Sequence, residues 1–152
     1  MSENLADRQS EEIDAADSIA RKILLVDDEP SYRDALGHIL TQEKYEVRTA
    51  SGAKGAIEIA QQFSPDILIV DWMLRDDMDG VEVAESVRAV NPEIRTVFMT
   101  GYRTSRLETQ MRQVPDSHLL SKPFSLAEFL EVVGAVSCRP AISGEPRGDR
   151  PR

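Results

Sequence analysis

Asp71 closes the run Asp66-Ile67-Leu68-Ile69-Val70-Asp71, an apolar stretch that ends on a carboxylate. Asp27 and Asp28 stand at the end of a similar run, Ile23-Leu24-Leu25-Val26, and Lys122 follows a third run and precedes Pro123. Short apolar runs of this kind read as buried strands. Strands of a parallel sheet finish along one edge, where these acids and this lysine can meet. Three carboxylates in one pocket repel one another unless a divalent cation lies among them, and hard oxygen ligands suit Mg2+. A lysine, a magnesium ion and a remaining carboxylate form a set able to handle a phosphoryl group, whose transfer needs mainly positioning and charge neutralisation.

Each residue also has a plainer reading. Asp27 and Asp28 after a strand could start a turn and cap the helix entered at Pro30, and Asp71 could be a turn acid. Thr100-Gly101 is common turn chemistry. The plain readings would have to hold independently at four strand ends, which favours the shared site. His38 and His118 have no third ligand candidate near them, so no metal role is expected of them. Gly52-Ala53-Lys54-Gly55 reads as the start of a helix, because no nucleotide-binding pattern surrounds it.

The elements that must position these groups alternate. Strands are expected at 22–26, 45–49, 66–70, 94–99 and 116–120, and helices at about 30–42, 53–63, 80–90, 103–113 and 125–136. Helical spacing carries the latter. Ala53, Ala56, Ile57, Ala60 and Phe63 share one face, as do Val83, Ala84, Val87 and Val90, and Leu126, Phe129, Leu130 and Val133. Pro30 suits a first helical turn, where its missing N–H costs nothing. The fourth helix offers only Leu107, Met111 and Val114, a stripe so narrow that this helix is expected to move most easily. Five β-α units imply an α/β fold, a doubly wound parallel sheet with helices on both faces. In the order 2-1-3-4-5, strands one and three are neighbours at the switch point where ligands bind.

A chain of 152 residues with 41% hydrophobic content suits one domain with a real core. Its net charge of -9 argues against a nucleic-acid footprint. No apolar stretch approaches the roughly 18 residues that would suggest a membrane helix, and the N-terminus lacks the basic start and apolar run of a secretory signal. Cys138 is the sole cysteine, which excludes an intramolecular disulfide and fits a reducing cytoplasm. Residues 1–20 carry six acids against one arginine and read as a flexible extension, with Ser10 able to cap a short helix. The domain is expected over 21–136. Residues 137–152, with three prolines, two glycines and four arginines, read as a disordered tail.

Asp27-Asp28-Glu29, Asp71, Thr100-Gly101 and Lys122-Pro123-Phe124 together resemble the receiver domain of bacterial two-component response regulators, over residues 22–136. The resemblance implies the five-stranded flavodoxin-like fold of single-domain chemotaxis regulators and makes Asp71 the acceptor of phosphate from a partner's phosphohistidine. It implies Mg2+ held by Asp28 directly, by Asp27 through water, by Asp71 and by the backbone carbonyl of Met73. Lys122 would neutralise charge and Thr100 would donate to a phosphoryl oxygen. Gly101 would leave room for the donor, and the Lys122-Pro123 bond would be cis.

Three features depart from the family pattern. The loop Trp72–Gly80 reads one residue longer than usual, with Arg75 or Asp76 where proline is common. Leu119 occupies the position, three residues before the lysine, where a tyrosine or phenylalanine usually turns inward as the threonine moves. Tyr102, two residues after Thr100, lies where side chains shield the phosphoryl group from water.

The expectation is a stand-alone receiver, because only 16 residues follow Val136. A histidine kinase or phosphotransfer protein would dock beside the first helix, and a protein target would read the face of helix four, strand five and helix five. Among rivals, an aspartyl phosphatase would want an acid two residues after Asp71, where Met73 stands. A flavin carrier would want a phosphate-cradling loop in place of Asp27 and Asp28. A pseudo-receiver, binding partners without phosphate, is the serious alternative; the intact acid set argues against it, and Leu119 argues for it. A receiver cut from a longer regulator is the remaining reading.

Overall fold

The computed structural model describes residues 21–138, apart from 76 and 77. The expected N-terminal extension, its Ser10-capped helix and nearly all of the expected tail lie outside the described residues. The elements run β1 Lys22–Val26, α1 Pro30–Gln42, β2 Glu46–Ala50, α2 Ala53–Phe63, β3 Ile67–Asp71, α3 Gly80–Val90, β4 Arg95–Thr100, α4 Ser105–Met111, β5 Ser117–Ser121 and α5 Leu126–Ser137. The five strands form one parallel sheet in the order β2-β1-β3-β4-β5.

Successive residues of a strand point to opposite faces, and the sheet uses this to build two cores. Leu24, Val26, Leu68, Val70 and Phe98 pack with Ala56 and Ala60 of α2, Val83 and Val87 of α3, and Leu107 of α4. Ile23, Leu25, Ile67, Ile69, Val97 and Met99 pack with Leu36 and Leu40 of α1 and with Phe129 and Val133 of α5. Burial on both faces explains why β1 and β3 are near-continuous apolar runs, whereas the edge strand β2 is polar and largely exposed.

Four of the five strands extend one residue further than the apolar runs suggest. The ladder continues through polar residues, pairing Asp71 with Met99 and Thr100 with Ser121. Asp71 and Thr100 are therefore the last residues of their strands and not the first of their loops, which anchors both in the sheet. At the other edge Asp66 is no strand residue. Its Oδ2 accepts from the backbone N–H of Arg21 and of Lys22, both at 3.0 Å, and so starts β1.

The helix starts follow capping chemistry. Asp79 accepts from the Glu82 N–H at 2.9 Å while Glu82 accepts from the Asp79 N–H, and Ser125 with Glu128 repeats the arrangement at α5. The fourth helix is shorter than expected, seven residues from Ser105, because Thr104 caps it and the chain leaves the helix after Met111. Val114 lies beyond α4 yet is buried. α5 includes Ser137, one residue past the expected domain end; its hydroxyl meets Tyr45 Oη at 3.0 Å. Buried Arg95 donates from Nη1 to the Val136 carbonyl at 2.7 Å, pinning the same helix end. Nothing in the local sequence marked Arg95, since its partner is 41 positions away.

Candidate functional site

At the C-terminal edge of β1 and β3, one oxygen from each of Asp27, Asp28 and Asp71 falls within 4.8 Å of the others. This is the one such grouping of acids, histidines and cysteines among the described residues. Asp27 is fully buried and Asp71 nearly so. Lys122 Nζ, from the end of β5, lies 3.3 Å from Asp71 Oδ2 and 3.4 Å from Asp27 Oδ2. The three acids and the lysine expected to converge do converge.

The backbone around them is arranged to hold each carboxylate. The Asp27 Oδ1 accepts from the Glu29 N–H at 2.9 Å, and the Arg33 guanidinium donates to the Asp27 carbonyl at 2.8 Å, tying α1 to the strand end. Asp27 thus makes the turn that the plainer reading suggested while facing the pocket with its other oxygen. Asp71 Oδ1 accepts from the Met73 N–H at 3.1 Å. Gly80 packs against the Asp71–Trp72 backbone: a Cβ there would lie 2.6 Å from the Asp71 carbonyl oxygen and 2.7 Å from the Trp72 Cα. Only glycine lets α3 start this close to the site.

Electrostatics follow from this crowding. Burial, against the pull of the Glu29 N–H and Lys122, holds the Asp27 carboxyl above its ordinary value. Burial alone would lower the Lys122 ammonium, but Asp71 and Asp27 reverse that and leave it above the usual lysine value. Tyr32, whose ring centroid is 4.4 Å from Lys122 Nζ, is pushed up by burial. Three carboxylates against one ammonium leave an excess of negative charge on hard oxygen donors. That donor set fits a small divalent cation.

The remaining expected residues surround the pocket. The Lys122-Pro123 bond is cis. Thr100 is buried, and its hydroxyl donates to the Tyr102 carbonyl at 3.1 Å while accepting from the Tyr102 N–H at 3.0 Å, so it is engaged in its own loop. Gly101 is open: a Cβ there would meet nothing nearer than the Lys122 Cβ at 4.0 Å. Met73 and Tyr102 are 56% and 68% exposed at the rim. Leu119 pairs with Phe98 across the β4–β5 ladder and packs on the α2–α4 side of the sheet. It lines a cleft of about 490 Å³ with Met111, Val114, Arg103, Arg112 and His118.

Sequence reasoning missed Arg75's part. Its N–H donates to Asp28 Oδ2 at 2.9 Å and its Nε lies 3.5 Å from the same oxygen. A proline at this position would have no N–H to give, so the departure in loop composition has a structural consequence. Asp79, later in the same loop, caps α3, and residues 76 and 77 lie outside the described residues.

Residues 23–134 match the family model described as "Response regulator receiver domain". The chain belongs to the response regulator receiver family. Among curated relatives, the receiver is 27% identical over 112 residues to sporulation initiation phosphotransferase F of Bacillus subtilis, covering 74% of this chain and 90% of that one. It is 34% identical over 120 residues to the transcriptional regulatory protein TrcR of Mycobacterium tuberculosis, covering 78% of this chain but only 46% of that one. The receiver's fold superimposes on the chemotaxis protein CheY4 of Vibrio cholerae with a TM-score of 0.72 at 28% identity, covering 77% of this chain and 98% of that one. Among the described residues, no helix is long and apolar enough to cross a membrane.

Proposed function

We propose that this receiver accepts a phosphoryl group on Asp71 from the phosphohistidine of a sensor kinase or phosphotransfer protein. It would work in the cytoplasm and signal by a phosphorylation-dependent protein contact or by passing the phosphoryl group onward. The observation that carries this reading is the placement of the Lys122 ammonium between Asp71 and Asp27, beside Asp28.

In the transfer, an Asp71 carboxylate oxygen forms the new bond to phosphorus as the phosphorus–nitrogen bond of the donor imidazole breaks. The electron pair leaves with that nitrogen. Lys122 compensates the charge on the phosphoryl oxygens, and Thr100, once its hydroxyl leaves Tyr102, donates to one of them. Asp27, Asp28, Asp71 and the Met73 backbone carbonyl would hold Mg2+. That ion supplies neutralisation of the phosphoryl charge and a template for in-line approach. Gly101 leaves the donor a clear path, and Tyr102 at the rim limits the water that later hydrolyses the acyl phosphate.

Movement of Thr100 would reach the output face through Leu119, because the two lie on the same side of adjacent strands and Leu119 packs beside Met111 of α4. A target would read α4, β5 and α5. Leu119 leaves a cleft where a ring is usual, which favours one second reading, a module that binds partners without phosphate. Incubation with Mg2+ and acetyl phosphate separates the two. The receiver reading requires a base-labile adduct of one phosphoryl group on the wild type and none on Asp71→Asn. Absence of an adduct on both favours the phosphate-independent module, and equal labelling of both identifies another acceptor.

A further inference from the structure

Lysine carries its charge on four flexible carbons, and the side chain of Lys122 is 23% exposed. Two carboxylates at 3.3 and 3.4 Å attract its ammonium from one side. The face of Tyr32, with its centroid 4.4 Å from Nζ, closes another. That ring is itself held. Phe124, two residues beyond Lys122, tilts against it at 5.9 Å between centroids, and Phe129 of α5 stacks on Phe124 at 5.6 Å and 12°. A ladder of three rings therefore joins α1, the turn after β5 and α5 behind one ammonium.

We propose that Tyr32 is a positioning residue for phosphoryl transfer, holding the Lys122 ammonium at the acid pocket through the face of its ring. The inference rests on the reading of Asp71 as phosphoacceptor. The choice of an aromatic has a physical logic. A further carboxylate would grip the ammonium harder but would add negative charge to a pocket that already has three. An aromatic face attracts a cation while remaining neutral. It also lets the ammonium shift the short distance to an arriving phosphoryl oxygen, since the attraction is spread over the ring face and is not a directed bond.

The test compares full-length wild type, Tyr32→Phe and Tyr32→Leu, with Tyr32→Met in reserve if the leucine variant does not fold. Adduct formation from acetyl phosphate and Mg2+ gives the maximal rate and the half-saturating acetyl phosphate separately. The Lys122 ε-methylene resonances report the ring directly, because a cation over an aromatic face is shifted upfield. The phenylalanine variant should keep both the rate, within about twofold, and the shifted resonances. The leucine variant should lose about three- to tenfold in maximal rate, change half-saturation less, and move the Lys122 resonances downfield. Wild-type rate in a folded leucine variant, or unmoved resonances, overturns the proposal, as does an equal loss in the phenylalanine variant. Failure of wild type to form an adduct overturns the phosphoacceptor reading instead, while the resonances still decide whether the ring holds the lysine.

Discussion

Two glycines beside the pocket are there for opposite reasons, and the difference separates folding from chemistry. Gly80 is required by the chain itself, because any Cβ would collide with the Asp71 and Trp72 backbone. Gly80→Ala should cost about 1–3 kcal/mol in urea unfolding. Gly101 has no such neighbour within the fold. Gly101→Ala should unfold within about 0.5 kcal/mol of wild type yet slow labelling by a phosphohistidine protein. Wild-type labelling would mean that the donor does not pass this position. Arg75 makes a third case. Its guanidinium lies on Asp28 but its side chain is mostly exposed, so the pair is worth little as a stabiliser. Its charge beside a proposed cation ligand counts for more. Arg75→Gln keeps the backbone N–H and should tighten Mg2+ binding by about two- to fivefold at low salt, read from the fluorescence of Trp72. Unchanged or weaker binding would show that the guanidinium does not oppose the ion.

At the scale of elements, α4 is the least anchored of the helices. It has seven residues, and Leu107 is its single fully buried side chain. The narrow stripe was visible in the sequence, and its weakness follows from how little apolar surface it removes from water. The amide hydrogens of α4 should therefore exchange faster than those of α3 or α5, by at least about tenfold. Comparable protection would remove α4 as the mobile part of a switch. Leu119 sits under this helix, in the cleft beside Met111. Leu119→Tyr places a ring there. If the cleft belongs to the switch, that substitution should alter the difference in partner binding with and without phosphate.

For the whole molecule, the pocket sets function against stability. Burial raises Asp27 above the ordinary aspartate value of 3.8. Its folded state therefore binds a proton more tightly than its unfolded state does. The stabilising contribution is fully present below the ordinary value and is lost as pH rises through the raised one. Near neutral pH the metal-free fold carries the repulsion of its acids. Added Mg2+ should raise the unfolding temperature, by an amount equivalent to about 2.7 kcal/mol at one hundred times its dissociation constant. Asp27→Asn should raise the metal-free midpoint by a few °C and abolish most of the increment from Mg2+. A lower midpoint in this variant would show that Asp27 stabilises the fold as a carboxylate.

Much of this was legible in one dimension. Apolar runs mark strands and 3.6-residue spacing marks helices, because burial imposes those periods locally. Their strict alternation leaves few ways to form a sheet. The acids and Lys122 were legible because each ends a strand, and a parallel sheet gathers such ends at one edge. Side-chain aim was not legible. That Lys122 lies over Tyr32, that Arg75 turns back onto Asp28, that Thr100 spends its hydroxyl on Tyr102 and that Arg95 caps α5 were decided only by packing. Three of these four contacts join residues far apart in the chain, and the fourth depends on how one loop turns. No local period constrains such choices, which are settled by the shape and charge left available once the two cores have closed.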